Sequence, residues 1–283
     1  WYFQVPTAGS QAQRGAAAGT DAIELMAWAL RQSWRPMLAF CRPPQCRNSQ
    51  QQRHAQRVEA DPRGVGHHAV LPARDPVYVG FPDWLDERIV RGLAERGIDA
   101  IGILGGPGAG KTALLEATFQ HFGREEAARE AVVEGDCATD FDARRIAAKG
   151  ARVAQVATGS LCHLDAHLVE HALDDLDLSG VSRLWIENVG NLVCPAPFPC
   201  GERRRVVLIS VAEGDDKPEK YPAMFAGADL LVISQADLLP YVDFDVERCI
   251  AGARLAHPAL PALVLSARNG TGLDSWLAWV NGE

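Results

Sequence analysis

An α/β fold, a mostly parallel sheet with helices on both faces, is predicted for this chain by two observations. Seven short apolar runs alternate with segments of helical length between residues 98 and 267, and strands buried on both faces read as continuous apolar runs rather than alternating ones. The first strong run is followed at once by "GGPGAGKT", Gly105 to Thr112. This is G-x-x-x-x-G-K-[ST] in the strand–loop–helix context that the pattern requires.

Taken in order, the chain opens with a segment unlike the rest. A chain of 283 residues has room for one large α/β domain or two small ones. Residues 1–75 carry nine Arg against five acids, while 76–283 carry nineteen Lys and Arg against thirty-one acids. "RPPQCRNSQQQRHAQR" (42–57) is polar and has no core-building period. A helix over 21–40 is expected from Ile23, Met26, Leu30 and Trp34. Apart from it, residues 1–75 are expected to be a poorly ordered or non-native N-terminal extension. Cys41 and Cys46 form a C-x4-C pair without a partner pair, so no metal site is expected there. The apolar patch at 22–31 is broken by Glu24 and lacks a small-residue cleavage pattern, so no signal peptide is expected.

Residues 76–283 are expected to form one nucleotide-binding domain. The runs are "IDAIGIL" (98–104), "AVVEG" (131–135), "ARVAQVA" (151–157), "RLWIEN" (183–188), "VVLISV" (206–211), "DLLVIS" (229–234) and "ALVLSA" (262–267). After the first of them, Gly106, Pro107, Gly108, Ala109 and Gly110 form a loop whose backbone N–H groups turn toward phosphates, and the helix behind it adds its positive end. Lys111 reaches the β- and γ-phosphates, and the Thr112 hydroxyl is a magnesium ligand. In an open parallel sheet the loops leaving the carboxyl ends of strands gather along one edge. That edge collects Asp136, then Glu187 and Gly190, then Asp237, then Ser266 and Ala267. Glu187, an acid ending an apolar strand, is the expected second magnesium contact. Gly190 is placed to offer its N–H to the γ-phosphate, and either Asp136 or Glu187 orients the attacking water.

The same edge receives "TGSLCHLDAH" (158–167) and Cys194. Cys162, His163 and Cys194 are therefore expected to converge as a thiolate–imidazole set suited to Zn²⁺ or Ni²⁺. Three ligands leave a tetrahedron incomplete, so either one position stays open or a second copy of the chain completes it. Cys162 is read as lying near a helix start, which favours its thiolate. His163, His167 and His171 are read as one face of that helix. For His167 and His171 a metal chelate and a plain polar face both remain open. Cys137, Cys200 and Cys249 are read as structural.

Together these segments resemble the HypB family of hydrogenase-maturation GTPases. The resemblance rests on "GGPGAGKT", "EGDCATDFDARRI" (134–146), "TGSLCHLDAHLVEHAL" (158–173), "IENVGNLVCPAPF" (186–198), "ISVAEGDDKPEKYPAMF" (209–225), "ADLLPYVDFDVERCIAGAR" (236–254) and "LSARNGTGLDSWLAWV" (265–280). It implies a SIMIBI-class P-loop NTPase that takes GTP/GDP with Mg²⁺, dimerises, and loads Ni²⁺ into the large subunit of a [NiFe]-hydrogenase. A second nickel-maturation factor is implied as a partner. The family's metal ligands fall on Cys162, His163 and Cys194. The family's guanine-reading N-K-x-D stands here as Ser234-Gln235-Ala236-Asp237. Asp237 keeps the guanine contact, while Ser234 and Gln235 are expected to weaken base binding.

Two other functions stay open beside a slow GTP-hydrolysing metallochaperone. One is a non-catalytic or weakly hydrolysing metal-binding adaptor, and the other is an accessory GTPase for another nickel enzyme such as urease. A net charge of −8 argues against a nucleic-acid partner. No apolar run is long enough to cross a membrane, and seven irregularly spaced cysteines fit a reducing cytoplasm.

Overall fold

Eight parallel strands form one sheet in the order β1-β4-β3-β5-β2-β6-β7-β8. The computed structural model describes residues 68–72, 84–136, 140–159 and 161–283. The expected helix at 21–40, the Cys41–Cys46 pair and Cys137 lie outside the described residues. The strands are β1 (His68–Pro72), β2 (Asp99–Gly105), β3 (Glu130–Asp136), β4 (Arg152–Ala157), β5 (Arg183–Glu187), β6 (Arg204–Ser210), β7 (Leu230–Ser234) and β8 (Ala262–Val264). Each of the seven apolar runs became one strand, β2 to β8.

Two details differ from the sequence reading. β1 lies upstream of the boundary expected at residue 76 and pairs along β4, from His68 beside Val153 to Pro72 beside Ala157. β8 stops at Val264, three residues short of the apolar run. There Ser266 N–H bonds to the Thr271 carbonyl and turns the chain into a loop at the carboxyl edge.

Eight helices are described: α1 (Trp84–Glu95), α2 (Lys111–Ala127), α3 (Phe141–Ala147), α4 (Ala166–Asp174), α5 (Lys217–Lys220), α6 (Pro222–Ala226), α7 (Val246–Ala256) and α8 (Leu273–Asn281). They cover both faces of the sheet. On one face Ile101 and Ile103 of β2 pack with Leu115 and Phe119 of α2 and with Trp185 and Trp276. Their ring atoms are fully buried, and the two indole N–H groups are satisfied. Trp276 donates to Thr118 Oγ1 at 2.8 Å and Trp185 to Glu130 Oε2 at 2.6 Å. On the other face Leu85, Ile89 and Leu93 of α1 and Val169 of α4 pack on Ala131, Val133 and Ile186. Farther along, α6 and α7 bury Val207, Ile209, Leu231 and Ile233.

This layering positions the site. β2 lies between β5 and β6, so β1, β3, β4 and β5 extend to one side of it and β6, β7 and β8 to the other. The loop leaving β2 therefore opens at the point where the strand order reverses, the usual place for a ligand crevice in an open α/β sheet.

Candidate functional site

The phosphate loop is built by the turn from β2 into α2. Gly110, the residue before α2, has φ 86°, a left-handed conformation that a side chain disfavours. Beside the loop lies a cavity of about 450 Å³ whose walls include Gly108, Lys111, Thr112, Glu134, Asp136, Glu187 and Gly190. Lys111 is buried and donates from Nζ to the Gly106 carbonyl at 3.4 Å, folded back over its own loop. Thr112 Oγ1 donates to Glu187 Oε1 at 2.7 Å, so the start of α2 and the end of β5 meet.

Glu187 carries the cavity's most telling atom. Its Oε2 is buried and has no hydrogen-bond partner. Burial pushes its carboxyl up to about 7, opposed by the Lys111 ammonium and the Thr112 hydroxyl. An unsatisfied carboxylate oxygen next to a threonine hydroxyl suits a divalent cation, and the pair fits Mg²⁺. Asp136 ends β3 on the same wall.

On the far side of the phosphate loop is a second hollow of about 260 Å³, lined by Ser234, Gln235, Asp237, Leu265, Ser266 and Ala267 among others. Ser266 Oγ donates to Asp237 Oδ1 at 2.6 Å, fixing the carboxylate that faces the hollow. The expectation that Ser234 and Gln235 are short or missing arms meets a different geometry. Ser234 Oγ donates to the Ala109 carbonyl at 2.6 Å, and Gln235 Nε2 donates to the Gly108 carbonyl at 3.0 Å. Ser210 Oγ donates to Gln235 Oε1 at 2.5 Å. Both side chains therefore hold the phosphate loop. Gln235 has φ 58° and ψ 36°, the one non-glycine positive φ among the described residues, and these contacts hold it there.

The loop from Glu187 to Cys194 touches everything else. Gly190 lies so close to the phosphate loop that a Cβ there would stand 2.8 Å from Pro107 Cα. Asn191 N–H donates to the Gly105 carbonyl at 3.0 Å. The Asn191 side chain donates to the Cys162 carbonyl at 3.3 Å and accepts from the Val193 and Cys194 N–H groups at 2.8 and 3.2 Å. Asn188 Oδ1 accepts from the Leu164 N–H at 2.8 Å, one residue beyond His163.

The cysteine–histidine segment is only partly as expected. α4 begins at Ala166, capped by Asp165, whose side chain accepts from the Leu168 N–H at 2.9 Å. Cys162 and His163 therefore lie in the loop before the helix, and His163 does not share a helix face with His167 and His171. The cap wins because it satisfies an otherwise orphaned backbone donor. Cys162 is exposed and Cys194 half-buried. His163 is buried with its ring stacked on Phe198, centroids 4.4 Å apart. Burial holds its imidazole below the ordinary histidine range, opposed by Asp165. Its Nδ1 is 3.7 Å from Cys162 Sγ. Among the described residues no three His, Cys, Asp or Glu side chains of one chain are grouped as a metal site. Asn191 joins the Cys162–His163 pair to Cys194, bonding the Cys162 carbonyl and the Cys194 N–H. Cys200 is fully buried with its thiol pushed well up, bonded to Asn188 and the Leu164 carbonyl, and Cys249 is buried with its thiol pushed up to about 12.

Residues 99–263 match the family model described as "CobW/HypB/UreG, nucleotide-binding domain". The chain belongs to this family. Among curated relatives, the hydrogenase maturation factor HypB of Azotobacter vinelandii is 52% identical over 180 residues, covering 64% of this chain and 59% of that protein. The HypB of Escherichia coli K12 is 46% identical over 196 residues, covering 69% and 67%. The chain thus spans about three-fifths of the length of the relatives it matches first. Among solved structures, HypB from Helicobacter pylori in complex with nickel superposes with a TM-score of 0.66 at 34% identity, covering 71% of this chain and 93% of that one. HypB from Archaeoglobus fulgidus gives 0.64 at 39% identity, covering 70% and 96%.

Within this CobW/HypB/UreG domain two carboxylates escaped the sequence reading. Glu134 lies inside the β3 run and is almost fully buried, with Oε2 unpartnered. Burial, then the carboxylates of Glu187, Asp136 and Asp142, push it up to about 9. Glu213 stands over the phosphate loop: a Cβ on Gly106 would fall 2.0 Å from its Oε1. Its other oxygen accepts from the Ser210 N–H at 2.9 Å. The signal for Glu134 was an acid inside an otherwise apolar parallel strand, which rarely tolerates one without cause.

Proposed function

We propose that this chain is a GTP-hydrolysing metallochaperone that binds nickel and assists its insertion into a [NiFe]-hydrogenase. The observation that carries this reading is the Glu187–Cys194 loop. In eight residues it joins Thr112, Pro107 and the Gly105 carbonyl at the phosphate side to Cys162 and Cys194 through Asn191. A change at the γ-phosphate reaches the thiols along one short segment. The names of the relatives, hydrogenase maturation factors, and the nickel bound by the Helicobacter pylori protein support nickel as the cargo.

In this reading Gly106 to Gly110 cradle the phosphates of GTP, and Lys111 unfolds from the Gly106 carbonyl to neutralise charge on the β- and γ-oxygens. Thr112 and Glu187 hold Mg²⁺, which supplies further charge neutralisation at those oxygens. Asp136 is assigned the attacking water, since Glu187 is committed to Thr112. Asp237, fixed by Ser266, accepts from the guanine N1–H and 2-amino group, and Ala267 lines the base hollow. Cys162, His163 and Cys194 take the nickel ion, with a second copy of the chain completing the ligand set. The working form is a homodimer in the cytoplasm, delivering to the hydrogenase large subunit with a second nickel-maturation factor.

Reciprocal coupling is the test. Ni²⁺ affinity is measured by anaerobic titration with GDP and with a non-hydrolysable GTP analogue, beside Cys162→Ala/Cys194→Ala. A nucleotide-dependent affinity that the variant loses is expected, and equal affinities in both states would sink the reading. Phosphate release compared with Lys111→Ala separates an enzyme from a non-hydrolysing adaptor.

A further inference from the structure

We infer that Arg145 is a second cationic ligand of the nucleotide's terminal phosphate, acting beside Lys111. The inference rests on the proposed placement of GTP in the cavity next to the phosphate loop. Four carboxylates, those of Glu134, Asp136, Asp142 and Glu187, stand on the walls of that cavity. Against them, the cations among the described lining residues are Lys111 and Arg145. A triphosphate entering there adds several negative charges of its own, and charge taken out of water is costly unless it is paired. Lys111 and a divalent cation offset part of that charge, and the guanidinium at the cavity wall is the group left to offset more.

The packing of α3 presents Arg145 to this cavity. Ala143, Ile146 and Ala147 bury one side of the helix. Asp142 and Arg145, three residues apart on one face, then line the cavity, while Arg144 pairs with Asp140. Arg145 Nη1 donates to Asp142 Oδ1 at 2.6 Å, and its Nη2 pairs with Glu116 of α2. Glu116 follows Thr112 by four residues, so the brace is attached about 6 Å along α2 from the hydroxyl assigned to magnesium. The Arg145 charge is already felt inside the site. Burial pushes the Glu187 carboxyl up, and Arg145, after Lys111 and Thr112, pulls it down.

The side chain is held loosely enough to be exchanged. It is 49% exposed, and exposed ion pairs fix a side chain weakly. A guanidinium carries its donors in a planar fork that matches two oxygens of one phosphate. Rotation of the side chain trades Glu116 for phosphate oxygens while α2 and α3 stay in place. GDP has no γ-oxygens, so this contact distinguishes GTP from GDP. During hydrolysis it meets the charge spread over the transferred group.

Affinities for GDP and for a non-hydrolysable GTP analogue, both fluorescent, are measured with Mg²⁺ for the full chain and five variants. These are Arg145→Ala, Arg145→Lys, Arg144→Ala, Glu116→Ala and Lys111→Ala, with melting temperatures to check each fold. Arg145→Ala is expected to weaken the GTP analogue about tenfold or more, and GDP by less than about threefold. Arg145→Lys keeps the charge without the fork, so it should recover part of the loss, and it serves where the alanine variant fails to fold. Arg144→Ala removes an equal charge from outside the cavity and should match the parent, which separates contact from a general field. Glu116→Ala breaks the brace between α2 and α3 and should leave affinity for the GTP analogue equal or higher. A loss in Arg145→Ala that is absent, equal for both nucleotides, or reproduced by Glu116→Ala would overturn the inference. Lys111→Ala should weaken both nucleotides; if it does while Arg145→Ala matches the parent, the inference alone falls. Affinities unmoved by Lys111→Ala overturn the placement of GTP and the inference with it.

Discussion

Replacing Glu134 by Gln should make the nucleotide-free protein more stable, by an amount that grows with pH. The side chain lies almost fully buried in β3, with Oε2 unpartnered and three other carboxylates nearby. Its carboxyl is pushed from 4.5 up to about 9 in the folded chain. Between those values the folded state holds a proton that the unfolded state has lost. Stability therefore falls as pH rises, by up to about 1.4 kcal/mol per pH unit for one proton. From pH 6 to pH 8 this slope amounts to roughly 3 kcal/mol that Glu134→Gln, being neutral throughout, does not lose. The assay is urea unfolding at pH 6, 7 and 8 of both proteins without nucleotide or Mg²⁺, with the difference in midpoint read against pH. A gap that widens steadily toward pH 8 is expected. Parallel curves would refute the burial argument, and a gap that narrows would reverse its sign.

Three further outcomes follow from the loops around the site. Gly190→Ala places a Cβ 2.8 Å from Pro107 Cα, so guanine-nucleotide affinity in a fluorescent-nucleotide titration should fall about tenfold while the melting temperature changes little. Asn191→Ala removes three hydrogen bonds at 2.8, 3.2 and 3.3 Å that join the two cysteine segments. At about 1 kcal/mol each for partly exposed bonds, Ni²⁺ binding should weaken by up to roughly a hundredfold and its dependence on the nucleotide should shrink. Gln235→Ala frees the Gly108 carbonyl and Ser210 hydroxyl and should lower affinity for guanine and adenine nucleotides together. Asp237→Ala should instead remove the preference for guanine, read by calorimetry as a ratio near one.

What could be read from the sequence was whatever is local. Seven strands announced themselves because a parallel strand is apolar on both faces, and Lys111, Thr112 and Glu187 followed from the motif and the strand ends. β1 was hidden because "HAVLP" lies in a basic, polar stretch whose composition says nothing of a free sheet edge. His163 was drawn into a helix by its spacing to His167, and the Asp165 cap decided otherwise. The parts that escaped depend on chain segments far apart. Ser234 meets Ala109 across 125 residues, and no pattern within either segment marks the contact. Glu134 became informative only when Glu187, Asp136 and Asp142 were seen around it. Cys162 and Cys194 each follow the carboxyl end of a strand, as a reading of the runs gives, but the amide side chain that joins their segments was not foreseen.

The Ser234–Gln235 clasp has a wider meaning for how such sites are sought. Its targets are the carbonyls of Gly108 and Ala109, which exist whatever side chains those positions carry. What the fold requires of residues 234 and 235 is a donor at each of two points in space, and several residue types supply one. The letters N-K-x-D record side chains, whereas the contacts made here are to backbone carbonyls that any donor of suitable reach can meet.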